Sequence, residues 1–179
     1  MLDIGEIKME RELLLLGLLQ KGEMHGYQLH EFIDSFMQTC VDLKKSTAYY
    51  LLEKMTKEGY VTRTEEREGN RPPKRVYCLT AVGEARLQTL LRENLAAYLP
   101  AKFPGDTGLT FLENLPADEV ILLLEQRREK MVNALAVIEQ APPHTGSLQF
   151  MLEHQHLHLQ SELNWLESVI ERLSTKAGN

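Results

Sequence analysis

The run KKSTAYYLLEKMTKEGYVTRTEEREGNRPPKR, Lys44 to Arg75, decides how the rest of the chain is read. Its first half predicts a helix over 46–58. Ala48, Leu51, Leu52 and Met55 recur at steps of three and four, forming one inward stripe. Ser46 or Lys45 stands at the cap, where a serine hydroxyl accepts a first-turn amide proton. Thr47, Tyr50 and Lys54 fall on the opposite side, with Ser46 nearby and Lys57 one turn on. Gly59 ends the helix. Strand-like residues follow at 60–66 and 75–79, on either side of REGNRPPK, whose Gly-Asn and Pro-Pro pairs make it a turn. Arg67, Arg71, Lys74 and Arg75 concentrate on that tip. A short polar-faced helix followed by a basic ribbon is the order expected of a DNA reader.

Global charge argues the other way, and its distribution resolves the conflict. The 179-residue chain carries a formal net charge of −6. Between Lys44 and Arg75, however, nine Lys or Arg face five Glu, whereas from Pro100 onward six basic residues face eleven acidic ones. Only the face that meets nucleic acid must be positive. No apolar run approaches the ~20 residues that span a bilayer, and no secretory leader is visible, so a cytoplasmic protein without membrane contact is expected. Cys40 and Cys78 are too far apart and too few for a disulfide framework or a structural zinc site.

Upstream of the central stretch, MERELLLLGLLQ predicts a helix over about 8–20 that is apolar nearly all round and belongs inside. Lys21 and Gly22 stop it. A second helix is expected from His25 to about Phe36, with Leu29, Phe32, Ile33 and Phe36 on one stripe, and His25 has a structural role beside it. Downstream, Thr80 caps a fourth helix reaching about Tyr98, with Val82, Leu87, Leu90, Leu91 and Leu95 on its apolar side. Three helices, a basic ribbon and a fourth helix make a winged helix-turn-helix with a two-stranded wing.

Four short pieces, in order, resemble PadR-type transcriptional regulators. His25-Gly26-Tyr27-Gln28-Leu29 resembles the family's HGYxL signature, and it follows an LLGLL helix as in that family. Ser46-Thr47-Ala48-Tyr49-Tyr50-Leu51-Leu52 is similar to its GTxYxxL recognition-helix start, with Ser46 where the family often has Gly. Glu58-Gly59-Tyr60-Val61 and Val76-Tyr77-Cys78-Leu79-Thr80-Ala81-Val82-Gly83 resemble its helix exit and its closing strand. The resemblance implies double-stranded DNA as partner. The DNA-contacting residues are then Lys44, Lys45, Ser46, Thr47, Tyr49, Tyr50 and Lys54 on the recognition helix, with Arg67, Arg71, Lys74 and Arg75 on the wing.

Pro100, Pro104, Gly105 and Gly108 break periodicity and mark 100–115 as a linker between a DNA-binding domain, 1–99, and a helical domain, 116–179. Pro116 followed by Ala-Asp-Glu opens a long helix to about Gln140, with acid in its first turn as the helix dipole favours. Within it Ile121, Leu124, Arg128, Met131, Leu135 and Ile138 alternate steps of three and four. From Ser147 to Ser174, Leu152, His156, Leu159, Leu163, Leu166, Ile170 and Leu173 keep the same rhythm, which is that of a helix–helix seam. An antiparallel pair is expected, with Leu122, Leu123, Trp165 and Val169 left for a second copy of the chain to cover. Dimerisation is assigned to Ile121, Leu124, Met131, Leu135, Leu159, Leu163, Trp165, Leu166 and Ile170. The resemblance points the same way, because larger PadR-type regulators dimerise through a C-terminal helical arm, and Glu162-Leu163-Asn164-Trp165-Leu166 looks like their ELxWL segment.

His154, His156 and His158, with Glu153, Glu162 and His144, invite a metal-responsive reading, but two histidines one turn apart on a solvated helix are common by composition alone. No metal site and no cofactor is assigned. Trp165 shares a side with His158 and His154. It suits an interface tryptophan, and by the resemblance Trp165 and His158 also suit a wall for a small aromatic effector. Phosphate-cradling and dinucleotide glycine patterns and a nucleophile elbow are all missing, so no enzyme is expected. A helical protein-interaction module is the rival, and it leaves the basic ribbon without a role. The expectation is a mainly α, homodimeric winged-helix repressor on a pseudo-palindromic operator.

Overall fold

Leucines of the first helix form the centre of the N-terminal core in the computed structural model, which describes residues 4–25, 28–29, 31, 43–66, 74–98, 100–142 and 144–177. Two compact units are present, Met1–Pro100 and Ala101–Asn179. In the first, helix α1 (Ile4–Leu19) buries Leu15, Leu16, Leu18 and Leu19. Around them pack Leu29, Leu43, the inward stripe of helix α2 (Lys45–Lys57), Val61, Tyr77, Leu87 and Leu90. The stripe of α2 is Ala48, Leu51, Leu52 and Met55, the four residues its periodicity marked.

Gly59 turns the chain out of α2. Its φ of 79° lies in the left-handed region that favours glycine. The Gly59 amide donates to the Thr56 carbonyl and the Tyr60 amide to the Met55 carbonyl, the paired bonds that close a helix on a left-handed residue. Strand β2 (Val61–Glu66) then runs antiparallel to β3 (Lys74–Leu79), in register from Val61 opposite Leu79 to Glu66 opposite Lys74.

Three details of this unit depart from expectation. The sheet has a third strand, β1 (Met24–His25), on the far side of β3 in the order β1-β3-β2. His25 therefore lies in a strand opposite Val76 and does not open a helix. Two residues are too few to show a period, and β3 supplies the ladder that holds them. Gln28 and Leu29 are helical and Leu29 is buried, while Phe32, Ile33 and Phe36 lie outside the described residues. Helix α2 is capped by Lys44, with no side-chain hydrogen bond, in place of Ser46 or Lys45. The fourth expected helix, α3 (Ala81–Ala96), buries Gly83, Leu87 and Leu90 and leaves Val82, Leu91 and Leu95 exposed. That helix buries one narrow line, spaced four and three residues, so leucines to either side of it stay in water. Arg86 on α3 reaches the buried Glu12 of α1 at 2.9 Å, and this hydrogen bond raises the guanidinium pKa further.

In the second unit, α5 (Ala117–Glu139) and α6 (Ser147–Ala177) pack as an antiparallel pair, since Arg127 meets Glu162 and Glu139 meets His156. Val120, Leu124, Met131 and Leu135 interlock with Leu163, Leu166, Val169 and Ile170. The segment expected as a linker is partly folded: α4 (Asp106–Thr110) and a short 3-10 turn (Leu112–Asn114) seat Leu109 and Leu112 against this core. Such short elements carry too few residues for a periodic signal.

The residues assigned to dimerisation are redistributed accordingly. Leu124, Met131, Leu135, Leu163, Leu166 and Ile170 are buried within their own chain, and Ile121 and Leu159 are partly buried against the same core. Val169, expected to await a partner, is buried there too. Leu122, Leu123 and Trp165 do stay exposed, as do Val132, Val137, Phe150 and Leu157.

Candidate nucleic-acid interface

The first turn of α2 projects from the N-terminal unit with its polar residues outward. Lys44, Lys45 and Ser46 are exposed, Thr47 and Tyr49 are half-buried, and Tyr50 is 67% exposed although it is a large aromatic residue. Ala48 is the first residue whose amide bonds back, to the Lys44 carbonyl. Among the described residues no side chain caps the amides ahead of it, so this end offers backbone donors together with two lysines. Lys44 and Lys45 have no ion-pair partner among the described residues. Lys54, one turn beyond Tyr50, instead pairs with Glu58 at 3.2 Å.

The ribbon is tied to this helix through one carboxylate. Glu53 of α2 accepts from Arg63 of β2 at 2.5 Å and meets Arg75 of β3 at 3.5 Å. Arg63 and Tyr77 are register partners, and Arg75 stands opposite Glu65, so all four side chains share one face of the hairpin. The hydrogen bond that Arg63 donates to Glu53, and then the charge of Glu53, raise the Arg63 pKa above its ordinary value. Burial first, then the charge of Glu53, push the Tyr77 phenol up, against the opposing influence of Arg75 and Arg63. Sequence reading missed this clamp. A glutamate on a polar helix face carries no local sign of partners 10 and 22 residues on. Of the wing cations assigned from sequence, Arg75 is exposed, Arg67 and Arg71 lie outside the described residues, and for Lys74 only its place at the start of β3 is described.

In the C-terminal unit, Trp165 and His158 both line a cavity of about 550 Å³ with Phe103, Asp106, Ser161 and Glu162. His156 sits 3.2 Å from Glu139 near the tip of the helical pair. Among the described residues, no three His, Cys, Asp or Glu side chains converge to hold a metal ion. Nor does any described helix have the length and apolarity to cross a membrane.

Comparison with known proteins bears on the unit that carries this interface. Residues 15–89 match the transcriptional regulator PadR-like family. Over 77 residues the chain is 34% identical to the negative transcriptional regulator PadR of Bacillus subtilis (strain 168). That match spans 43% of this chain and 42% of the relative, less than half of either. The fold is similar to that of Bacillus subtilis PadR in complex with operator DNA, with TM-score 0.78 and 23% identity, over 90% of this chain and 98% of the other. It is also similar to the same regulator in complex with p-coumaric acid, with TM-score 0.71 and 23% identity, over 93% and 97%. The mostly helical chain with its small antiparallel sheet is the architecture of those structures. Residues 15–89, the segment that carries the candidate interface, are thus similar to the PadR-like family of transcriptional regulators.

Proposed function

We propose that the chain is a sequence-specific DNA-binding repressor that acts in the cytoplasm as a homodimer on a pseudo-palindromic operator and is released by a small aromatic effector. The observation that carries this reading is the exposed, basic, aromatic-bearing first turn of α2 beside the Arg75 edge of the hairpin, inside the family-matched segment. Residues at the start of such a helix reach base edges and phosphates in the major groove, while cations on a projecting ribbon meet the neighbouring backbone or minor groove. Lys44, Lys45, Ser46, Thr47, Tyr49, Tyr50 and Lys54 then form the recognition set, and Arg67, Arg71, Lys74 and Arg75 the wing set. The exposed leucines Leu122 and Leu123 of α5 give a second copy an apolar face to cover, and two-fold symmetry would set the half-sites about 34 to 36 Å apart.

Tyr50 tests the groove assignment. Its replacement by Ala removes a ring that contributes nothing to the core, so folding stability should change by less than about 0.5 kcal/mol. Sequence preference should relax at one or two operator positions, worth about 1 to 3 kcal/mol each. Selection of bound sites from a random DNA pool reads this out, and an unchanged consensus for Tyr50→Ala would refute the placement of α2.

Glu53 makes a prediction of opposite sign for affinity and selectivity. Removing its charge with Glu53→Gln should strengthen binding to nonspecific DNA, because it releases two guanidiniums toward phosphate. The hairpin would then lose its fixed angle to α2. Discrimination between operator and nonspecific duplex should fall by a few-fold at most, as the loss of an exposed ion pair allows. Competition titrations measure the ratio. If it holds at the wild-type value, the clamp does not position the wing.

A further inference from the structure

The tip of the helical pair gathers imidazole and carboxylate groups from three segments. Glu139 closes α5, His144 stands in the connection, and Glu153 and His156 lie in the second and third turns of α6; all four line a cavity of about 620 Å³. His156 Nε2 and Glu139 Oε1 are 3.2 Å apart. Two donors on one tetrahedral zinc ion, at bonds of about 2.0 Å, stand about 3.3 Å apart. This pair, one group from each helix, therefore already has the separation that an ion requires. Glu153 precedes His156 by three residues in Glu153-His154-Gln155-His156, and side chains at that spacing are neighbours on a helix. A Glu-x-x-His step facing a glutamate of another helix is a donor set that helical bundles use for divalent metals. Among the described residues no three donors converge as they stand, and the Gln149 amide holds Glu153 toward the start of α6 at 3.0 Å.

We propose that this cavity binds one divalent transition-metal ion of the zinc class, held by Glu139, Glu153 and His156 with water completing the coordination. Glu153 reaches the ion by giving up its bond to Gln149, an exposed hydrogen bond whose net contribution is small. The His156–Glu139 pair is also partly exposed, so the ion displaces a contact that contributes little to stability. Two carboxylates match the charge of the ion, and the imidazole selects zinc, copper or nickel over magnesium, which prefers an all-oxygen shell. Ile138 and Leu152 line the same cavity and limit the water around the donors. The packing thus selects His156 from the histidines of α6, since His158 lines the separate cavity beside Trp165. A bound ion would tie the end of α5 to α6, whatever DNA the first unit reads.

Calorimetric titration of the full-length, tag-free chain with zinc chloride, in the absence of DNA, tests the site. One zinc ion per chain is expected to bind, and magnesium chloride should give no binding heat. His156→Gln, Glu139→Gln and Glu153→Gln should each weaken zinc binding by at least about tenfold, the loss that follows even from disturbing a group behind a metal ligand. The double variant His154→Ala with His158→Ala should bind zinc as the wild type does. Titration with cobalt chloride checks the heat against inner-sphere ligation, because the visible absorption of cobalt changes when imidazole and carboxylate replace its water; His156→Gln should reduce that change. No zinc binding overturns the proposal. So does binding that survives His156→Gln and is lost in the His154/His158 double variant, which would assign the ion to the exposed histidines. Undiminished affinity in Glu153→Gln overturns the three-donor site, and one zinc ion per two chains assigns the ion to a contact between copies and overturns it as well.

Discussion

Gly83→Ala is expected to destabilise the N-terminal unit by about 3 kcal/mol, although alanine is the better helix former by about 1 kcal/mol. The sign is set by tertiary contact. Gly83 lies in the first turn of α3 and is buried, and an added Cβ would stand 2.0 Å from the Tyr60 carbonyl oxygen and 2.8 Å from a Leu79 methyl group. The Tyr60 carbonyl cannot withdraw cheaply, because it accepts from the Thr80 amide and the Thr80 hydroxyl, each at 3.1 Å. Thr80 in turn caps α3 by accepting from the Gly83 amide at 3.0 Å. Relieving the clash therefore loosens the corner that joins α2, the hairpin and α3. Gly17 provides the control. It lies within α1, where an added Cβ would meet only a Leu87 methyl group at the ordinary distance of 3.9 Å, so Gly17→Ala should be neutral or stabilising by up to about 1 kcal/mol. Urea unfolding followed by circular dichroism compares the two variants. A loss below about 1 kcal/mol for Gly83→Ala would show that the corner yields and that the close approach is unimportant.

The second large effect concerns the salt dependence of DNA binding. In the proposed dimer, Lys44→Ala with Lys45→Ala removes four cations from the recognition surface, and these cations have no ion-pair partner among the described residues. Each phosphate neutralised contributes about 0.9 to the slope of log affinity against log salt, so that slope should fall by about 3.6. Between 50 and 200 mM salt the wild-type protein should then lose about a hundredfold more affinity than the variant. A fall of about 1.8 would mean that only one copy engages the duplex, and no change would remove these lysines from the interface. Because both side chains are exposed and lie outside the core, folding stability should stay within about 0.5 kcal/mol of wild type. The lysines therefore separate affinity from fold, as Gly83 tests fold alone.

Much of the candidate site was legible in the chain because its signals are local. The period of Ala48, Leu51, Leu52 and Met55 declared which side of α2 faces inward, and so which side was left for Tyr50 and the lysines. Gly59 marked the exit, since only a left-handed residue lets the last carbonyls of α2 close on the next two amides. Thr80 marked the start of α3 by the reach of its hydroxyl to an amide three residues on. Less visible were Glu53, whose partners come from two strands, and β1, whose two residues are a strand only because β3 lies beside them. The cavity around Trp165 belongs with these: its tryptophan and histidine share one helix, but Phe103 and Asp106 come from a segment that carries no periodic signal.

By itself the sequence determined the order of the long helices and of the two hairpin strands, the basic character of the candidate interface and the rhythm of the C-terminal pair, because each follows from residues a few positions apart. Tertiary structure decided which surface each apolar residue meets. Leu124, Met131, Leu163, Leu166 and Ile170 have the spacing of a seam whether the facing helix belongs to the same chain or to another. Only the packing of α5 on α6 shows that the chain itself buries them and leaves Leu122, Leu123 and Trp165 among the residues that stay exposed. Periodicity records that a face must leave water, and the folded chain determines what covers it.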